Sequence, residues 1–183
     1  MDIFAHALWT TAGTRAVNSN LEKKHKQLIQ VGWTAFWGVF PDLFAFVLPM
    51  ILSIPTLIHN GLMFGRPSTM GLSANLYQYS HSLVIWLAVF LIVWFIKKRP
   101  AYELCGWALH ILIDIPSHAA NFYPTPFLFP VSSYKFLHGI SWGNKYYMII
   151  NYTSLIVVYG YFFIRKMKTK RAQKNAKDYL ASK

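Results

Sequence analysis

Cysteine and acidic residues are what this chain has least of. Cys105 is the only cysteine, which excludes an intrachain disulfide and a cysteine-based zinc site; it reads as a small core residue. Only six Asp and Glu stand against 18 Lys and Arg, and charged residues make up 13% of the 183 positions, where a soluble domain has about 25%. Apolar residues reach 55% and aromatics 17%. That balance excludes an ordinary soluble domain and points to a polytopic membrane protein. A secretory leader is not expected either. In "MDIFAHALWTTAGTR" Asp2 stands where a basic region belongs and His6 interrupts the apolar part, so the segment is expected to stay in the protein.

The apolar sequence divides into an all-α bundle of four spans and one short N-terminal helix. Residues 3 to 17 form the short helix, about 22 Å long and too short to cross a core about 30 Å thick. Residues 28 to 54 form a second segment, kinked where "VFPDLF" places Pro41 and Asp42 inside it. Residues 55 to 75, with two Pro and three Gly, read as a loop. Segment three covers 76 to 97, apolar without interruption from Leu83 to Ile96, segment four 101 to 120, and segment five 145 to 165. An aromatic, Pro-rich loop separates the last two. Residues 1 to 165 thus make one embedded domain, and 166 to 183 a solvated basic tail without a fold of its own.

Charge assigns the sides. Fifteen of the 18 basic residues lie between segments one and two, between three and four, or from Arg165 onward. The positive-inside rule makes these cytoplasmic and turns the amino terminus and the two long loops outward. The net charge of +12 is therefore topological, and nucleic acid is not an expected partner; membrane lipid is.

With that orientation, six polar residues from separate segments fall at one depth near the outer surface: His6, Asp42, His81, His110, Asp114 and His118. The last three sit in "ALHILIDIPSHAAN" at a spacing of four and four, one stripe of a helix. Imidazole and carboxylate on successive turns are ligands for Zn²⁺ or a similar divalent ion. Ionisable residues inside membrane segments are costly and mark functional sites. Pro116 interrupts the stripe, and either swings His118 out of line or aims it. Asp2 either caps the first helix or supplies a further carboxylate. Ser82 is placed to position His81 or a substrate. His138, in an outer loop, is a candidate extra ligand or proton shuttle, and Arg66 and Lys135 are the outward cations that could hold phosphate.

The stretches "MDIFAHAL", "FPDL" at 40 to 43, "YSHSL" at 79 to 83 and "HILIDIPSH" at 110 to 118 resemble a family of bacterial inner-membrane metal-dependent hydrolases, the LexA-controlled YdjM-like proteins. The resemblance covers about residues 1 to 135. More distantly, "HILIDIPSHAAN" is similar to the zinc-binding signature of bacterial zinc-dependent phospholipase C and the zinc nucleases. There, the mature amino terminus, an early His, an Asp, a His and the signature residues bind up to three zinc ions. The resemblance implies a helical core like that of the phospholipase, with His6, Asp42, His81, His110, Asp114 and His118 as ligands. In this chain Pro116 and His118 come two residues sooner after Asp114, and the second downstream His-x3-Asp has no counterpart.

The expected function is a membrane-bound hydrolase of a lipid-like phosphoester at the extracytoplasmic surface. One to three divalent ions, Zn first and Mn or Fe otherwise, would generate hydroxide from bound water, with Asp114 bridging and Asp42 and Ser82 assisting. Two readings compete: a non-catalytic protein with a structural or transport metal site, and a membrane adaptor acting through its basic tail.

Overall fold

Asp2 starts the first helix by accepting a hydrogen bond from the Ala5 amide on its side-chain Oδ1 at 3.0 Å, which satisfies one of the donors that every helix start leaves open. Helix α1 then runs from Ile3 to Lys23, longer than the 3 to 17 expected. The computed structural model describes residues 1–59, 67–120 and 123–182. Among them the chain is all-helical apart from one isolated bridge, Ala119 with His138.

Helix α2 (Val31–Asp42) passes into a π-helical turn, Leu43–Val47, and on into α3 (Leu48–His59). The irregularity follows Pro41 directly, because proline removes the amide that would continue the regular ladder. Helix α4 (Pro67–Ser80) occupies much of the stretch expected to be a loop. Pro67 is its first residue, where a missing amide costs nothing and the fixed φ suits a helix. Residues 60–66 of that stretch, Gly61, Gly65 and Arg66 among them, lie outside the described residues.

The expected third segment is broken. Helix α4 ends at Ser80, α5 (Leu83–Lys97) starts anew, and the two are bent by 60°. Ser82 makes the break, accepting from the amides of Val84 and Ile85, both at 3.1 Å, as the cap of α5. Its hydroxyl donates to the Phe129 carbonyl, and Leu83 N donates to Phe127 O at 2.9 Å. The loop after α6 thus holds the break.

Helix α6 (Cys105–Ser117) has 13 residues, about 20 Å at 1.5 Å per residue. It is shorter than the expected fourth span. Pro116 ends it: His118 is its C-cap, in extended conformation, and the loop returns so that Ile140 N and Trp142 N bond the carbonyls of Pro116 and Ser117, each at 2.9 Å. Cys105, at the first turn, is exposed and not in the core. Helix α7 (Lys145–Ala181) is continuous through the expected unstructured tail, whose Lys, Arg, Ala and Gln are all good helix formers.

Among the described residues, two helices are long and apolar enough to cross a membrane, Val31–Pro55 and Lys145–Ala181, or three if the bent α4–α5 pair counts as one span. Of the four expected spans, two or three are seen among the described residues. Helix α5 fully buries no residue, and its apolar side chains are half-buried or exposed, as suits an apolar helix in lipid.

Helix α2 is central, packed between α1 and α6. Glycine allows the approach: a Cβ on Gly38 would overlap the Thr10 side chain, and one on Gly106 the Thr34 carbonyl oxygen. The buried threonines at these crossings satisfy their hydroxyls within their own helices, Thr10 on His6 O at 2.8 Å and Thr34 on Gln30 O at 3.0 Å, so no polar group is left over at the contact.

Gly106→Ala should destabilise the detergent-solubilised protein by about 1–3 kcal/mol through overpacking. Gly32→Ala, where a Cβ meets no atom within 4 Å, should leave the melting temperature unchanged or slightly raised. Equal melting of both variants would show that the α2–α6 contact yields freely.

Candidate metal centre

Four helix ends meet at one point. Met1 and His6 come from the start of α1, Asp42 from the end of α2, His81 from the break between α4 and α5, and His110, Asp114 and His118 from the end of α6. His6, His81, His110 and Asp114 are fully buried, with Asp42 and His118 nearly so.

Asp114 is the centre of the cluster, and its two oxygens face different partners. On Oδ1 converge the Met1 α-amino group at 2.5 Å, His6 Nε2 at 3.0 Å and His118 Nε2 at 3.5 Å. On Oδ2 converge His110 Nε2 at 3.2 Å and His81 Nε2 at 3.5 Å. Asp42 Oδ1 closes the second group, 3.5 Å from His81 Nε2 and 3.7 Å from His110 Nε2. Ligand atoms of Asp42, His81, His110 and Asp114 all lie within 4.8 Å of one another, and this buried group can hold a metal ion.

The surroundings fix the rings. His110 Nδ1 bonds the Gly38 carbonyl at 2.7 Å and His118 Nδ1 the Tyr123 carbonyl at 2.8 Å. A carbonyl only accepts, so each Nδ1 carries the proton, and a neutral ring then turns its Nε2 lone pair toward Asp114. Ser80 Oγ meets His81 Nδ1 at 2.9 Å. Metal-binding histidines have this pattern, one nitrogen held from outside and the other free for the ion. His6 stacks on His110 at 3.7 Å between ring centroids. Burial, then the neighbouring His110, pushes His6 down to about 4, so it is a neutral imidazole at pH 7. Its Nε2 and Asp114 Oδ2 are buried without hydrogen bonds. Lone pairs and an anionic oxygen aimed at one another are resolved by a shared cation, and nitrogen with carboxylate oxygen suits Zn²⁺, Mn²⁺ or Fe²⁺. The residues fit a metal.

All six residues selected from the sequence as ligands come together here. Pro116, which left His118 open, aims it: the residue leaves the helix, yet its Nε2 stays within reach of Asp114. Asp2 caps α1 and accepts from Tyr152 Oη at 2.9 Å. Ser82 is next in sequence to His81, but its hydroxyl is engaged in capping α5 and bonding Phe129. His138 is exposed, and its backbone pairs with Ala119, beside His118. Lys135 is half-buried in the same loop, and among the described residues no ion pair links it to the cluster.

Three participants escape a reading of side-chain types. The Met1 amine and the Gly38 carbonyl belong to the backbone. Tyr77 stacks on His81 at 3.8 Å and donates to Tyr123 O at 2.9 Å, bracing the loop that holds His118. Its place one helical turn before His81 was the available signal. Comparison with known family models, curated proteins and solved structures finds no match.

Purified protein should carry at least one equivalent of divalent metal by plasma mass spectrometry, and Asp114→Ala should carry none. Adding zinc at about 100 times its Kd to metal-stripped protein should raise stability by about 2.7 kcal/mol. A melting temperature indifferent to zinc, manganese and iron would reduce the cluster to a polar network.

Proposed function

We propose that this protein is a membrane-bound, metal-dependent phosphoesterase acting on a lipid phosphodiester. The reading rests above all on Asp114, whose two oxygens each face a separate set of nitrogen donors. A carboxylate shared in this way suits a two-ion site. With Asp114, the Met1 amine, His6 and His118 would hold one ion, and Asp42, His81 and His110 the other. Bound ions would supply water of pKa roughly 7 and neutralise charge on attacking and leaving oxygens. The chain itself keeps His110 and His118 in one tautomer through Gly38 O and Tyr123 O, and shuts bulk water out of a buried centre, which strengthens its electrostatics.

The lipid substrate follows from apolar helices around a cluster at one end of the bundle. By the positive-inside rule that end faces away from the cytoplasm, and the basic end of α7 faces in. This agrees with the resemblance to the inner-membrane hydrolases. Neither Lys135 nor Ser82 has a part in the chemistry on this reading.

A structural ion is the second reading, favoured by the complete burial of His6, His81, His110 and Asp114, since structural sites are closed and catalytic ones keep a position open. Turnover separates the two. Metal-loaded protein should hydrolyse bis(p-nitrophenyl) phosphate and phospholipid, lose activity to a chelator and regain it with metal. His110→Ala and Asp114→Ala should lower kcat/KM by about 100-fold or more, the order expected where a ligand is removed. A loaded protein that melts higher but turns over no phosphoester would establish the structural ion instead.

A further inference from the structure

An open cleft of about 950 Å³ runs between α1, α6 and α7. It exists because α1 presents Ala12, Gly13 and Ala16 to it, three residues with at most a methyl group. Leu109 and Ile113 of α6 form the floor, and α7 contributes one face at roughly helical spacing, Tyr147, Ile150, Asn151, Ser154, Val158 and Phe162. From Tyr147 to Phe162 the helix rises about 22 Å, more than one leaflet of a hydrocarbon core about 30 Å thick. The pair stays in register through Trp9 Nε1 on Asn151 Oδ1 at 2.8 Å and Tyr159 Oη on Leu8 O at 3.0 Å.

Two observations say what the cleft takes. One end is Met1, which lines it while its amine lies 2.5 Å from Asp114; cleft and metal centre share a residue. Among the described residues no charged side chain lines the cleft, and Asn151, one of those that do, brings a polar atom that is unspent. Asn151 Oδ1 is fixed by the Trp9 donor, so its amide nitrogen must be the other atom, and that nitrogen is buried with no partner. Such a surface suits a long apolar ligand with an acceptor near one end. A prenyl chain has no acceptor, whereas an ester-linked acyl chain has its carbonyl.

We propose that this cleft binds an acyl chain of a glycerophospholipid, with its ester carbonyl at Asn151 and its phosphate toward the metal centre. The orientation rests on the phosphoesterase reading; occupancy of the cleft does not.

Native mass spectrometry of delipidated protein in detergent, titrated with dioleoylphosphatidylcholine, tests binding without turnover. One lipid per chain should resist activation that strips the rest, and dihexanoylphosphatidylcholine should not be retained. Ala16→Phe and Val158→Trp, which fill the cleft from opposite walls, should each cut retention about tenfold, and Asn151→Leu about tenfold for the ester lipid but not for its ether-linked analogue, the worth of one hydrogen bond. Metal content on every variant reports whether it is folded. Equal retention of both chain lengths by the wild type, or undiminished retention in folded filled variants, overturns the proposal. Ester and ether lipids losing equally in Asn151→Leu would remove the carbonyl assignment. Lipid retained as expected on a metal-loaded protein that cleaves no phosphoester would sink the phosphoesterase reading and leave the cleft assignment standing.

Discussion

A carboxylate buried at the end of a 13-residue helix sets the terms for the rest of the molecule. Asp114 is removed from solvent and surrounded by four imidazoles and an amine. Removing a charge from water costs several kcal/mol even after relaxation, so the fold must return that energy through cation, hydrogen bond or geometry. Most of its irregular features meet this demand. The end of α6 at Ser117 turns His118 back toward Asp114, the break at Ser82 places His81 beside it, and the start of α1 brings both an amine and His6 against the same oxygen. Strip the carboxylate away, and these devices lose their common purpose.

The packing that makes this possible is itself close and polar. Gly38 serves twice. Its missing side chain admits Thr10 of α1, and its carbonyl orients His110 of α6, so helix approach and ring tautomer are one arrangement. One turn earlier on α6, Gly106 lies against the backbone of α2. Small residues at helix crossings are the usual means by which apolar-embedded helices gain contact, since lipid offers no hydrophobic drive between them. Here the gain is also positional, because a few tenths of an ångström between α2 and α6 would move His110 relative to Asp42.

Most of the centre was legible from sequence because ionisable side chains in apolar stretches are costly, and cost implies use. The helix boundaries were not, for an identifiable reason. The break at Ser82 is held by Phe127 and Phe129, over forty residues later, whose carbonyls accept from Leu83 N and Ser82 Oγ. Hydropathy across 76 to 97 shows no trace of that contact. The end of α6 has the same character, since its last carbonyls are taken by Ile140 and Trp142. In the stretch from 55 to 75, Pro as a residue type suggests a loop, whereas Pro67 at a first helical position favours the helix. The α-amino group of Met1 and the carbonyl of Gly38 carry no residue-type signal at all. Tertiary partners fixed what local pattern left open.

Burial of the cluster and the openness of the cleft beside it are complementary. A centre whose ligands are shut off from water gains electrostatic strength, because charges interact more strongly where the effective dielectric is low. It also closes the aqueous route to itself. On the proposed reading the substrate does not need that route, since an acyl chain lying along α7 brings its phosphate to Met1 from the side. The wall it lies against is mostly apolar, with Asn151 and Ser154 among its few polar groups on α7. Small residues thus act on both helices: Gly38 of α2 admits Thr10 of α1, and Ala12, Gly13 and Ala16 of α1 leave room for lipid. The same economy explains why a chain with only six acidic residues places two of them in this cluster, where each contributes oxygen to the space between the imidazoles.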